Sequence, residues 1–145
     1  MNLNSQVIIA MCSHLCRGDD IVPLEPGEWA KLSSAISCPH ELLSFEESDF
    51  KKLGLEFERC KKLLNRMPSL MFECQKYSNI GIKIVTLADS DYPSKLKNAF
   101  NEKSSPLFYY AGDLSVAENT NFIGIVGSRD VKENDIAFTK KLSKT

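Results

Sequence analysis

The sequence predicts an α/β protein with an all-α module in front. Three observations carry this reading. Apolar residues recur at helical spacing, between caps and breakers, as far as residue 78. At Ile80-Gly81 the pattern changes to short β-rich runs. The last of these, residues 122–126, ends in Gly127-Ser128-Arg129. A strand, a glycine turn and a helix start are what many α/β proteins use to build an anion site.

The elements follow in order. Residues 6–16 are mostly apolar and read as a buried helix, with Gly18 as its C-terminal cap. Pro26 suits the first turn of a second helix, in which Trp29, Leu32 and Ile36 form one apolar face. Residues 37–43 form a connection broken by Pro39. Ser44 and Glu47 fit a capping box for a short helix ending near Gly54. Residues 55–77 are helical, with Phe57, Cys60, Leu63, Leu64 and Met67 on one side. Pro68 should split this stretch, leaving a second helix over residues 69–77. Residues 82–86 are a strand, Asp91-Tyr92-Pro93 a turn, residues 94–100 a short helix and residues 107–110 a further strand closed by Gly112-Asp113. Residues 133–142 suit a closing helix with Ile136, Ala137, Phe138 and Leu142 as its apolar residues. The expected domains are thus a helical module over residues 1–78 and an incomplete α/β domain over residues 79–145.

Composition bounds the function. The 145 residues are 43% hydrophobic and 26% charged, with a net charge of −1, so nothing global draws the chain to nucleic acid or membrane. Any basic site must be local. The five cysteines are odd in number and irregular in spacing, residues 1–4 lack a basic leader, and residues 7–11 are too short to span a membrane. A reducing cytoplasm is the expected setting.

Several local signals stand in one order: Leu53-Gly54-Leu55, the run Gly81-Ile82-Lys83-Ile84-Val85-Thr86, Asp91-Tyr92-Pro93-Ser94-Lys95-Leu96, Pro106-Leu107-Phe108-Tyr109-Tyr110-Ala111-Gly112-Asp113, and Gly124-Ile125-Val126-Gly127-Ser128-Arg129. The series resembles the DNA-processing protein A family (DprA, also called Smf). The resemblance implies an extended Rossmann-type domain, built on a parallel sheet, that binds single-stranded DNA. It also implies loading of a RecA-type recombinase during natural transformation, without catalysis. It implies a helical domain in front, of sterile-alpha-motif or helix-hairpin-helix kind. Gly127, Ser128 and Arg129 then match the turn that contacts DNA phosphate. The glycine-rich second strand-and-helix unit of the family does not occur in these 145 residues, so the expectation is an N-terminal portion, unstable alone in its α/β half or rescued as a homodimer.

Arg129 suits phosphate because its planar fork of donors meets two oxygens at once, and neighbouring amides add more. The alternative is a surface arginine paired with Asp130 or Glu133. A second basic patch surrounds the turn at Gly54: Lys51, Lys52, Arg59, Lys61, Lys62 and Arg66, opposed only by Glu56 and Glu58. Such a patch gives salt-dependent binding without sequence preference. The alternative is a solvated helix face with i, i+4 pairs. Cys12, His14 and Cys16 lack a second ligand pair at zinc spacing and read as core residues, so no metal is expected. Asp89, Asp91 and Asp113 read as turn caps. Tyr109 and Tyr110 are neighbours on a strand, so at most one can face a given ligand. No cofactor motif is present. The functional expectation is non-catalytic single-stranded DNA binding. The alternatives are a nucleotide-processing Rossmann-like enzyme fragment and a helical protein-interaction module without DNA binding.

Overall fold

A computed structural model describes residues 1–15, 21–100, 104–119 and 131–143. Among the described residues five helices precede residue 80: α1 (Leu3–Cys12), α2 (Pro26–Ser34), α3 (Glu47–Lys52), α4 (Phe57–Asn65) and α5 (Met67–Asn79), with a 3-10 turn at Pro39–Ser44. Then come β1 (Ile82–Thr86), α6 (Ser94–Phe100), β2 (Leu107–Ala111), a 3-10 turn at Leu114–Glu118 and α7 (Glu133–Leu142). The expected strand at residues 122–126 and the Gly18 cap lie outside the described residues.

α1 is the centre of the fold. It carries no charged residue, and Val7, Ile8, Ile9, Ala10, Met11 and Cys12 are all buried. A helix apolar on every side must be covered on every side. The 3-10 turn at Pro39–Ser44, α4, α5, β1 and β2 all pack against it. Leu32, Leu42, Phe50, Cys60, Leu63 and Leu70 complete a core that continues through Leu107, with Ile84 packed on it. One apolar core therefore crosses residue 79.

Each end of α1 meets a charge from far along the chain. At the N-terminus the Asn2 side chain accepts from the Ser5 amide at 2.9 Å, and the Asp89 carboxylate accepts from the Ser5 hydroxyl at 2.5 Å. The other Asp89 oxygen accepts from the Thr86 amide at 2.8 Å and hydroxyl at 2.9 Å, so Asp89 ties the end of β1 to the first turn of α1. At the C-terminus Arg66, 7% exposed, donates to the carbonyls of Ala10 at 2.8 and 3.0 Å, Ser13 at 2.5 Å and Leu15 at 3.1 Å. The Leu24 amide donates to Met11 at 2.8 Å. An anion at the head and a cation at the tail both match the helix dipole.

Two local expectations shift. The capping box of α3 is formed by Glu46 and Asp49, not by Ser44 and Glu47. Ser44 instead closes the 3-10 turn, its hydroxyl donating to the Glu41 carbonyl at 2.8 Å. Phe45 then precedes the cap and packs edge-on against Phe50 at 5.5 Å, a hydrophobic staple that fixes the helix start. Pro68 does split the long helical stretch, but it sits in the first turn of α5, which begins at Met67.

The sheet corrects the expected fold class. β1 and β2 are antiparallel, with Ile82 opposite Ala111 and Thr86 opposite Leu107, and the parallel Rossmann-type sheet is not found among the described residues. The connection explains the difference. A parallel pair needs a crossover helix packed on a sheet face. α6 has no buried residue, and the Leu87 amide bonds the Pro106 carbonyl at 3.0 Å, so the chain returns at the end where it left. Paired residues share a face. Ile84, Tyr109 and Leu107 face α1, with the Tyr109 hydroxyl 2.7 Å from Ser13 Oγ. Lys83, Val85, Phe108 and Tyr110 form the outer face, where Tyr92 packs edge-on against Phe108 at 5.4 Å.

Arg66→Met should remove the donors to three carbonyls at the end of α1. Losing hydrogen bonds that a buried cation makes costs roughly 2–4 kcal/mol. Urea unfolding of the purified chain should show the loss as a lower midpoint; an unchanged midpoint would contradict the role assigned to Arg66.

Candidate nucleic-acid interface

The sequence offers two basic sites, and the structure treats them differently. Gly127, Ser128 and Arg129 lie outside the described residues. The patch around Gly54 is described in full.

Gly54 adopts φ +71°, the left-handed conformation that favours glycine. Its amide donates to the Lys51 carbonyl at 3.0 Å, and the Leu55 amide to the Phe50 carbonyl at 3.0 Å. This pair of bonds is a Schellman closure of α3. Both amides are thus occupied within the turn.

The patch's cations divide by depth. Arg59 grips Glu28 through two bonds, of 2.7 and 2.9 Å, and also donates to the carbonyls of Val22 at 2.8 Å and Pro23 at 2.8 Å. It pins the segment before α2 onto α4. The Arg59 hydrogen bonds hold the Glu28 carboxyl below its usual 4.5. Arg66 caps α1 from the interior. Lys52 pairs with Asp49 at 3.2 Å. Lys51, Lys61 and Lys62 are exposed, with the Lys61 ammonium 5.7 Å from the centre of the Phe57 ring.

The remaining candidates also find places. Burial drives the Cys12 thiol far above its usual range and pushes Cys60 up to about 11, which leaves both inert. Among the described residues no group of three or more His, Cys, Asp and Glu side chains is placed to hold a metal ion. Asp113 accepts from the Ser115 amide at 2.9 Å, and hydrogen bonds from the Ser115 side chain and then its amide lower the carboxyl below the usual range. Of the two tyrosines, Tyr109 lies on the α1 side of the sheet, 40% exposed with its hydroxyl against Ser13 Oγ, and Tyr110 lies on the opposite face. Tyr110 borders a hollow of about 470 Å³ on the outer face of the hairpin, together with Lys83, Asp91 and Asp113. No described helix is long and apolar enough to cross a membrane.

Sequence reasoning missed the contacts that join α6 to the end of the second 3-10 turn. The Ser94 amide donates to Glu118 Oε1 at 2.6 Å and the Ser94 hydroxyl to Oε2 at 2.9 Å. The Lys95 ammonium donates to the carbonyls of Glu118 and Asn119. The only signal was the acidic residue at 118, which lies 24 positions from its partner.

Residues 83–145 match the model of the DNA recombination-mediator protein A family. This segment is similar to that family, and the match covers under half of the chain. The match opens inside β1, takes in α6, β2 and α7, and includes Gly127, Ser128 and Arg129. The five helices before β1 lie outside it. No curated protein and no solved structure matches the chain significantly.

The Glu28–Arg59 pair sets a pH dependence. Because Arg59 lowers the Glu28 carboxyl in the folded state, its contribution to stability is complete above about 4.5 and is lost as pH falls through the lowered value. The wild-type chain should therefore lose more stability between pH 7 and pH 3 than Glu28→Gln does, as read from urea midpoints at the two pH values. Equal losses would show that the pair is not linked to folding.

Proposed function

We propose that the chain binds single-stranded DNA without catalysis, as part of DNA processing for uptake and recombination. The observation that carries this reading is the family match over residues 83–145, which includes the Gly127-Ser128-Arg129 turn. In this reading Arg129 holds a phosphate through its paired donors, Ser128 and neighbouring amides add hydrogen bonds, and no base is read. The chemistry suits a ligand met in any sequence. In this reading the partner receiving the DNA is a RecA-type recombinase, the working unit is a homodimer and the setting is the cytoplasm.

The helical half supports a second, weaker contact. With Arg59 and Arg66 engaged inside the fold, a basic face would consist of Lys51, Lys61 and Lys62. Their exposed ammonium groups suit delocalised attraction to phosphate rather than a shaped pocket.

Two measurements test the reading. Binding of a fluorescent oligothymidylate should weaken with salt, and Arg129→Ala should weaken it roughly tenfold or more, the cost of one charge-assisted hydrogen-bonding group. The same change should make the log–log salt slope shallower by about 0.7. An Arg129→Ala chain that binds like the wild type would sink the phosphate role. Lys61→Glu with Lys62→Glu should weaken binding further while Arg129 is intact; an unchanged affinity would remove the helical face from the site.

A further inference from the structure

We infer that the cross-strand pair Lys83 and Tyr110 forms a nucleotide subsite for single-stranded DNA, in which the Tyr110 ring stacks on a base and the Lys83 ammonium meets a phosphate. The inference rests on the DNA-binding reading above and deepens it, because it adds a base contact outside the Gly127-Ser128-Arg129 motif. Lys83 of β1 lies directly opposite Tyr110 of β2. Residues paired in this way stand on one face of a sheet with Cβ atoms about 5 Å apart. Here that face is the outer one, away from α1. Two hollows meet at the pair. One, of about 470 Å³, is lined by Lys83, Tyr110 and the turns at Tyr92-Pro93 and Gly112-Asp113. The other, of about 320 Å³, extends from the same two side chains toward Asn2 at the start of α1 and Ser78 near the end of α5. Each falls in the range of small-ligand sites, roughly 300–1,000 Å³. A strand of linked nucleotides can enter both hollows across their shared wall, whereas a free nucleotide fills one.

The polar groups around the pair are engaged, and the pair is not. Glu118 accepts from the Ser94 amide and hydroxyl, Asp113 from the Ser115 amide, and Asp91 from the Ser90 hydroxyl at 3.0 Å. Among the described residues the Lys83 ammonium and the Tyr110 hydroxyl have no hydrogen-bond or ion-pair partner. The Tyr110 ring is braced nonetheless. Phe108 packs against it at 6.4 Å with an interplanar angle of 61°, and Phe108 is itself held by the buried Tyr92. A ring held in place loses little freedom when a base settles on it. Stacking does not depend on sequence, since every base has a π-face, so the subsite agrees with a ligand met in any sequence. The carboxylates of Asp91 and Asp113 weaken the local attraction for phosphate. The subsite therefore draws its affinity from the ring more than from the ammonium.

Stacking and phosphate contact can be separated by the probe. Affinity for oligothymidylate and for an abasic oligomer of the same length is measured across a salt series, on the full chain and on Tyr110→Ala, Tyr110→Phe, Lys83→Met and Arg129→Ala. Tyr110→Ala should weaken oligothymidylate binding about five- to tenfold, the effect of losing one stacked base, without changing the salt slope. It should leave the abasic oligomer bound as before, and Tyr110→Phe should keep the wild-type affinity for both. Lys83→Met should make the slope shallower by about 0.7 on both probes. Thymidine monophosphate should not compete at the nucleotide concentration at which unlabelled oligothymidylate does. Equal losses of the two probes by Tyr110→Ala overturn the subsite, because they mark a disturbed fold or a phosphate contact rather than lost stacking. Unchanged binding by Tyr110→Ala, an unchanged slope in Lys83→Met or full competition by the mononucleotide overturns it too. A wild-type chain that loses affinity on Arg129→Ala but not on Tyr110→Ala removes the subsite alone. A wild-type chain that binds neither probe removes the DNA reading and the subsite with it.

Discussion

The structure depends on burying a helix that has no polar face. α1 contributes nothing but apolar surface along its middle, so every other element is placed by the need to cover it. Burial alone would strand the backbone groups at its ends, where the last carbonyls and first amides lack helical partners. Arg66, from the junction of α4 and α5, takes carbonyls at the C-terminal end, and Asn2 takes the Ser5 amide at the N-terminal end. Asp89, from the turn after β1, holds the Ser5 hydroxyl beside Asn2 and so ties the hairpin to the helical half.

Arg66 is a buried cation that donates to the carbonyls of Ala10, Ser13 and Leu15, whose partial charges at a helix C-terminus sum to a site suited to a guanidinium. A lysine could not reach three carbonyls from one position, because it lacks the planar fork. Arg59 plays a parallel part nearer the surface. It combines the Glu28 carboxylate with two carbonyls, and so secures the stretch that leads into α2.

What was legible in the sequence was local. The bounds of α6 and α7 follow from turn residues and apolar spacing, and the split near Pro68 follows from the missing amide of proline. The turn at Gly54 reads equally well as a phosphate-binding hairpin or as a Schellman closure, because glycine in the left-handed region serves both. Only the partners of its amides distinguish them. The roles of Arg59 and Arg66 were not legible, since each is fixed by residues 31 to 56 positions away. Strand direction was hidden for the same reason. The connection between β1 and β2 is long enough for a crossover, and only the lack of a buried face on α6 reveals a return. Strand parity showed that Tyr109 and Tyr110 must diverge, but it could not say which one lies on the α1 side of the sheet. The family resemblance was legible from short pieces in a fixed order between Gly81 and Arg129, and the family match over residues 83–145 takes in most of that run.

The order in which α1 and its caps leave the ribosome has a further consequence. α1 precedes the other described elements and is the most apolar of them, yet Arg66 and Asp89, which hold its two ends, come 54 and 77 residues after its last residue, Cys12. For that interval the nascent chain carries an oily segment with no finished place to go. Such a segment is a natural client for a holding chaperone and a nucleus for aggregation when translation stalls. Closure of the α1 core is therefore delayed, and its yield is set by how well residues 7–12 are sheltered until residue 89 emerges.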